Sequence, residues 1–140
     1  MKILVPVDGS DNAIRAVDHV IRQAKSQSGV EVHVLNVQIP ILSGHAKMFI
    51  SEQQLKDYYR EEANAALKSA QERLTQANVP YTHHVSVGHI AETIARYAKE
   101  SGIDHIVMGT RGMGAISEFV LGSVASKVIH LSSVPVTLLK

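Results

Sequence analysis

The chain has no cysteine, which excludes thiol catalysis, iron–sulfur clusters and disulfide bonds and fits a reducing compartment. It has no excess of charge of one sign. Lys and Arg number 14 against 13 for Asp and Glu, so there is no broad cationic field to hold nucleic acid or an acidic membrane surface. It has no long apolar run. Met1–Val5 is cut short by Pro6 and Asp8, which leaves too little for a signal-peptide core or a membrane span. A cytoplasmic protein is expected. Three catalytic or binding signatures are also missing. No Gly-Lys-Ser/Thr completes a Walker A loop, no Gly-x-Gly-x-x-Gly fingerprint is present, and no Gly-x-Ser-x-Gly elbow supports a hydrolase triad. Internal repeats, linkers and low-complexity tracts are absent.

What is present suits one globular domain over residues 1–140. Apolar residues make up 45% of the chain and charged residues 19%, an ordinary balance that argues against disorder. A chain of this length buries roughly two thirds of its unfolded surface, enough for a core without staples. Strand-length apolar runs alternate with helix-period segments. Ile3–Val7 reads as a strand, broken by Asp8-Gly9-Ser10, and Ser10 is placed to cap a helix with Ala13, Ala16, Val17, Val20, Ile21 and Ala24 on its inner face. Val30–Val37 is a second strand. A long helix runs from about Ser51 to Ala77 and ends at Asn78-Val79-Pro80. Tyr81–Val87 is a third strand, and Ile90, Ile94, Ala95 and Ala98 mark a helix stopped by Ser101-Gly102. Ile103–Met108 is a fourth strand, about Gly122 to Leu131 a helix, and Val134–Leu139 a fifth strand.

The β-α-β-α-β-α-β-α-β order predicts an α/β fold, a five-stranded parallel sheet with helices on both faces. Right-handed crossovers restrict the topology. The most continuously apolar strands, the first and fourth, belong at the centre, which predicts the order 3-2-1-4-5. Residues 38–50 resist assignment. Ile39, Ile41, Leu42, Met48 and Phe49 make them too apolar for a free loop, so a cover over a site or a dimer contact is expected there.

The chemistry centres on Met108-Gly109-Thr110-Arg111-Gly112-Met113-Gly114, followed by Gly122-Ser123-Val124 at a helix start. Glycine admits positive φ and close approach of a ligand to backbone N–H groups. A helix N-terminus offers unpaired donors and the positive end of the macrodipole, both suited to phosphate. Ser123 adds a hydroxyl and Arg111 a cation. In a 3-2-1-4-5 sheet the strand order reverses between strands 1 and 4, where open α/β sheets bind ligands beyond their carboxyl ends. Asp8 ends strand 1 there, with Pro6 and Val7 before it. It can accept a hydrogen bond from a ribose hydroxyl or a base amino group. Met108 and Gly109 end strand 4, and Val37, ending strand 2, can offer an apolar surface to a base. Taken alone, a glycine loop serves a tight connection equally well, and Asp8-Gly9-Ser10 is a common turn and cap.

Gly109-x-x-Gly112, nine residues, then Gly122-Ser123 resembles the ATP-binding signature of the universal stress protein family, Gly-x2-Gly-x9-Gly-Ser/Thr. Ile3–Ser10 is similar to that family's first strand and turn, Asp104–Gly112 to its fourth strand, and Val134-Pro135-Val136 to its last. The resemblance spans the chain in order and implies a flavodoxin-like fold of the adenine-nucleotide alpha hydrolase kind. It also implies ATP in the crevice, with or without Mg²⁺, and a homodimer. By position, Asp8 and Val37 would hold the adenosine end, and Gly109, Arg111, Gly112, Gly122, Ser123 and Val124 the phosphates. The implied role is a nucleotide-dependent regulatory or interaction module in stress response. The alternatives are a weak ATPase or phosphotransferase using Arg111 and Glu118, and a dimeric interaction protein that does not bind nucleotide. Phosphoryl transfer needs a metal clamp and a positioned base, and Arg111, Ser117, Glu118 and Ser123 are the only polar candidates near the loop, so binding is ranked ahead of turnover.

Other features read as structural. Of eight histidines, only His83, His84 and His89 cluster. Adjacent strand residues point to opposite faces, so His83 and His84 are poorly placed to share an ion. Tyr58-Tyr59 reads as packing. The fifth strand is a predicted edge, apolar on both faces apart from Thr137, and such an edge invites pairing. Pairing two copies through residues 134–139 about a two-fold axis would close it.

Overall fold

The computed structural model describes residues 1–41, 49–111 and 121–140. The expected phosphate contact Gly112 lies outside them, as do Gly114, Ser117, Glu118 and the middle of the expected cover segment.

The elements are β1 (Lys2–Pro6), α1 (Asp11–Ser26), β2 (Glu31–Gln38), α2 (Glu52–Gln76), β3 (Tyr81–Val87), α3 (Ile90–Glu100), β4 (His105–Gly109), α4 (Ser123–Leu131) and β5 (Val136–Leu139). All five strands are parallel and lie in the order β3-β2-β1-β4-β5, as the apolar pattern predicts.

The strands are runs rather than alternations because helices cover both faces. On one face Ile3, Val5, Val7, Val32, Val34 and Val107 pack with Ala13, Ala16, Val17 and Val20 of α1 and with Ala63, Leu67, Ala70 and Leu74 of α2. On the other, Leu4, Leu35, Ile106 and Met108 pack with Ala91, Ile94 and Ala98 of α3 and with Ala125 and Val128 of α4. Neighbouring residues of one strand thus enter opposite cores, as the period of two requires. The two outer strands lack this burial: β3 exposes Val85 and Val87, and every residue of β5 is half-buried.

Local signals set the helix ends. Ser10 Oγ accepts the Ala13 N–H at 3.2 Å and caps α1. Ser51 and Gln54 form a reciprocal capping box at the start of α2. That helix ends in a Schellman turn. Asn78 takes φ 57°, its N–H donates to Thr75 O, and the Val79 N–H donates to Leu74 O. The end of α3 repeats the device, with Gly102 at φ 64° and the Ile103 N–H donating to Ala98 O at 2.9 Å. Ile103 is therefore committed to the helix end, and β4 starts two residues later than the apolar run suggests. β5 likewise starts at Val136 rather than Val134, because Pro135 has no N–H for a ladder.

Leu67, 1% exposed between α2 and the sheet, tests this packing. Leu67→Ala is expected to cost about 2–5 kcal/mol in urea unfolding through lost burial and the cavity left behind. Val85→Thr, on exposed β3, is expected to stay within about 0.5 kcal/mol of the parent.

Candidate functional site

At the carboxyl ends of β1 and β4 the sheet opens into a crevice of about 520 Å³. It arises because α1, leaving β1, packs on one face while α4, following β4, packs on the other, so neither helix covers the strand ends between them. The structure brings together around it Pro6, Val7, Asp8, Val37, Met108, Gly109, Arg111, Gly122, Ser123 and Val124. These are all the residues expected from sequence to hold the nucleotide except Gly112, which, like the polar candidates Ser117 and Glu118, lies outside the described residues.

The crevice has an apolar side and a polar side. Leu35, Val37 and Ile39 from the β2 end, with Ile90 and Ile94 of α3, form an apolar wall. This wall was only partly legible. Ile90 and Ile94 read as an ordinary inner helix face, and nothing local says that such a face reaches past the sheet into a cavity. The polar side is the β1 turn and the start of α4. Asp8 Oδ1 accepts the Ser10 N–H at 2.9 Å, so the turn role expected of Asp8 is filled.

The helix ends differ in a way that matters for anions. α1 is capped by its own serine, but the N-cap of α4 is Gly122, which has no side chain to cap the helix. The first N–H groups of a helix have no intrahelical partners, so the Ser123 end of α4 presents donors and the positive dipole end to the cavity. The N-cap of α3, His89, also lacks a side-chain bond, but the residues it brings to the crevice are isoleucines.

The glycines act differently from the sequence-based expectation. Gly122 has φ −64°, open to any residue, so the left-handed region is not what it supplies. Its N–H donates to Thr110 O at 2.7 Å, and a Cβ there would stand 3.1 Å from both Thr110 O and Arg111 Cα. Absence of a side chain lets the start of α4 close against the end of β4. At Gly109, a Cβ would collide with the Oδ1 and Cγ of Asn12.

Two buried amides behind the crevice went unrecognised in the sequence. Asn36 Nδ2 donates to Val7 O at 2.9 Å and its Oδ1 accepts from Gln38 Nε2, which fixes the end of β1 against β2. Asn12 bonds to Leu139 O and to the Arg111 N–H. Apart from Gln38, their partners are distant in sequence, so no spacing announces them.

The histidines assemble in an unexpected place, on the β2–β3–α3 face. His33 is buried, with Nδ1 2.9 Å from Tyr97 Oη and Nε2 3.0 Å from Glu31 Oε1. His84 stacks on the His33 ring. Desolvation, then His33 and His83, lower the His84 pKa. Burial raises that of Tyr97, against a bond from Ser101 and with a contribution from Glu31. No group of three or more His, Cys, Asp or Glu among the described residues is arranged to hold a metal. No described helix is long and apolar enough to cross a membrane.

The family model of the universal stress protein family matches residues 1–140. Universal stress protein YxiE of Bacillus subtilis is 31% identical over 146 residues, covering 99% of this chain and 98% of its own. Among solved structures, protein MJ0577 of Methanocaldococcus jannaschii superposes with a TM-score of 0.83 at 32% identity, covering 99% of this chain and 94% of its own. A universal stress protein from Archaeoglobus fulgidus, solved in complex with dAMP, superposes with a TM-score of 0.72 at 25% identity, covering 100% of this chain and 98% of its own.

Gly109→Ala is expected to cost about 1–3 kcal/mol in urea unfolding, because the new methyl group must displace the buried Asn12 carboxamide. An unchanged midpoint would mean that the contact relaxes freely.

Proposed function

The chain belongs to the universal stress protein family, and on that premise we propose that it is an ATP-binding regulatory or interaction module whose nucleotide occupies the crevice between β1 and β4. The observation that carries this reading is the start of α4: a helix N-terminus whose N-cap is glycine, lining a cavity together with an apolar wall. The two halves suit the two ends of an adenine nucleotide. Val37, Ile39 and Leu35 offer the base an apolar surface, Asp8 an acceptor for a ribose hydroxyl or base amino group, and the N–H groups of Ser123 and Val124 donors for phosphate. Pro6, Val7, Met108 and Gly109 floor the site. Arg111 belongs with the terminal phosphates, as does Gly112, and Mg²⁺ would travel with those phosphates rather than sit in a protein cage. The dAMP complex of the Archaeoglobus fulgidus relative supports an adenine nucleotide in this fold. Phosphoryl transfer needs a metal clamp and a positioned base, so the reading ranks binding and regulation ahead of turnover. The reading takes the protein as cytoplasmic, where ATP is supplied.

ATP with Mg²⁺ at about 100 times its dissociation constant is expected to add roughly 2.7 kcal/mol of stability, a rise on the order of 5–15 °C in the melting temperature of a domain this size. Gly122→Val is expected to abolish that rise, because its side chain would press on Thr110 and Arg111 and distort the start of α4. A melting curve that ATP leaves unmoved would overturn the reading, and release of phosphate on incubation would move it towards an ATPase.

The same reading includes a homodimer through β5. This strand is an edge of the sheet, half-buried along its length, and Ile129 and Leu131 of α4 are exposed nearby in sequence. Pairing with a second copy about a two-fold axis would satisfy the open backbone groups. Light scattering is expected to give about twice the mass of one chain. A single-chain mass with and without ATP would remove the dimer.

A further inference from the structure

We infer that Asn12 is a positioning residue for the crevice, tying the loop after β4 to the end of β5 so that nucleotide binding depends on the seating of the last strand. This rests on the nucleotide reading above and names a residue that nothing in the sequence pattern marks.

Asn12 lies in the first turn of α1 and is 6% exposed. It does not line the crevice; its neighbour Ala13 does. Its carboxamide is used at both ends. Nδ2 donates to Leu139 O at 3.1 Å, and Oδ1 accepts the Arg111 N–H at 3.0 Å. The same Leu139 carbonyl accepts the Thr110 N–H at 2.9 Å, and Thr110 O accepts the Gly122 N–H at 2.7 Å. One continuous set of hydrogen bonds therefore runs from α1 through the last residue of β5 and the loop after β4 to the N-cap of α4. The Thr110 hydroxyl is buried without a partner, so the side chain of Thr110 does not hold this loop. Gly109 leaves the space that the Asn12 carboxamide fills.

The pairing needs one donor and one acceptor in a fixed plane, which an amide supplies. An ionised carboxylate of the same shape has no donor for Leu139 O and would set a negative charge against that oxygen. A protonated carboxyl regains an O–H donor. Asn12→Asp therefore converts the tie into one that forms only when protonated. The ionisable groups on the surrounding elements are Asp8, Asp11 and Arg15 about the start of α1, His105 on β4, Arg111 after β4 and Lys140 after β5. The parent protein carries all of them, so the ratio of variant to parent at each pH isolates position 12.

The test measures ATP affinity by calorimetry for the parent, Asn12→Asp and Asn12→Ala, with amide exchange at Thr110 and Arg111 followed by NMR in the ATP-free proteins. Losing two buried hydrogen bonds is expected to weaken ATP binding by Asn12→Ala about tenfold or more. Asn12→Asp is expected to show a similar loss at about pH 7.5 and to recover most of it as its carboxyl is protonated at lower pH. Asn12→Ala is expected to exchange the Arg111 amide faster than the parent, because the acceptor is gone, whereas the carboxylate of Asn12→Asp still offers one. A loss in Asn12→Asp that persists once its carboxyl is protonated, or no loss in either variant, would overturn the role. If the parent itself does not bind ATP, the nucleotide reading fails. The exchange rates still decide the tie, and unchanged protection of Arg111 in Asn12→Ala would overturn it.

Discussion

Strands β1 and β4 run side by side and parallel, yet the helix after β1 packs on one face of the sheet and the helix after β4 packs on the other. Right-handed crossovers force this wherever the order reverses. Between the two departing chains no helix covers the strand ends, and backbone groups there must find partners in turns, caps or ligands. Each local feature of the site answers that constraint. Asp8 and Ser10 close the turn after β1, Asn36 ties β1 to β2, and Thr110 and Gly122 bring α4 against β4. The first turn of α4 lines the cavity, and its N-cap, Gly122, has no side chain of its own to cap it.

The fold was legible because its signals are local or periodic. Strands buried on both faces read as apolar runs, and the face-by-face assignment of Ile3, Leu4 and Val5 follows from a period of two. Helix ends announced themselves through Ser10, Ser51, Asn78 and Gly102, each acting on a backbone group within a few residues. The boundaries that shifted did so where one apolar residue had two possible uses. Ile103 looks like the start of a strand but completes the Schellman turn of α3.

The site was legible only in part, for the same reason. Gly109, Gly122, Asp8 and Val37 stand at the ends of elements, so the strand order alone brings them together. The long-range partnerships are silent in sequence. Nothing local marks Asn12, whose partners Arg111 and Leu139 lie at the far end of the chain. The reason for each glycine was also hidden. Positive φ is the usual expectation, but at Gly122 the structure requires room against Thr110 and Arg111, and at Gly109 room for a carboxamide. His33 looked like one scattered histidine, and its bonds to Tyr97 and Glu31 exist only once β2 and α3 are packed.

The ligand's orientation is the central claim: phosphates at the start of α4 and adenine against the β2 end. Determining a crystal structure after growth with ATP and Mg²⁺ tests it most directly. The expected result is phosphate oxygens within hydrogen-bond distance of the Ser123 and Val124 N–H groups, with adenine packed on Val37 and Ile39. Nucleotide bound in the reverse sense, or a crevice that stays empty at saturating ATP, would contradict it.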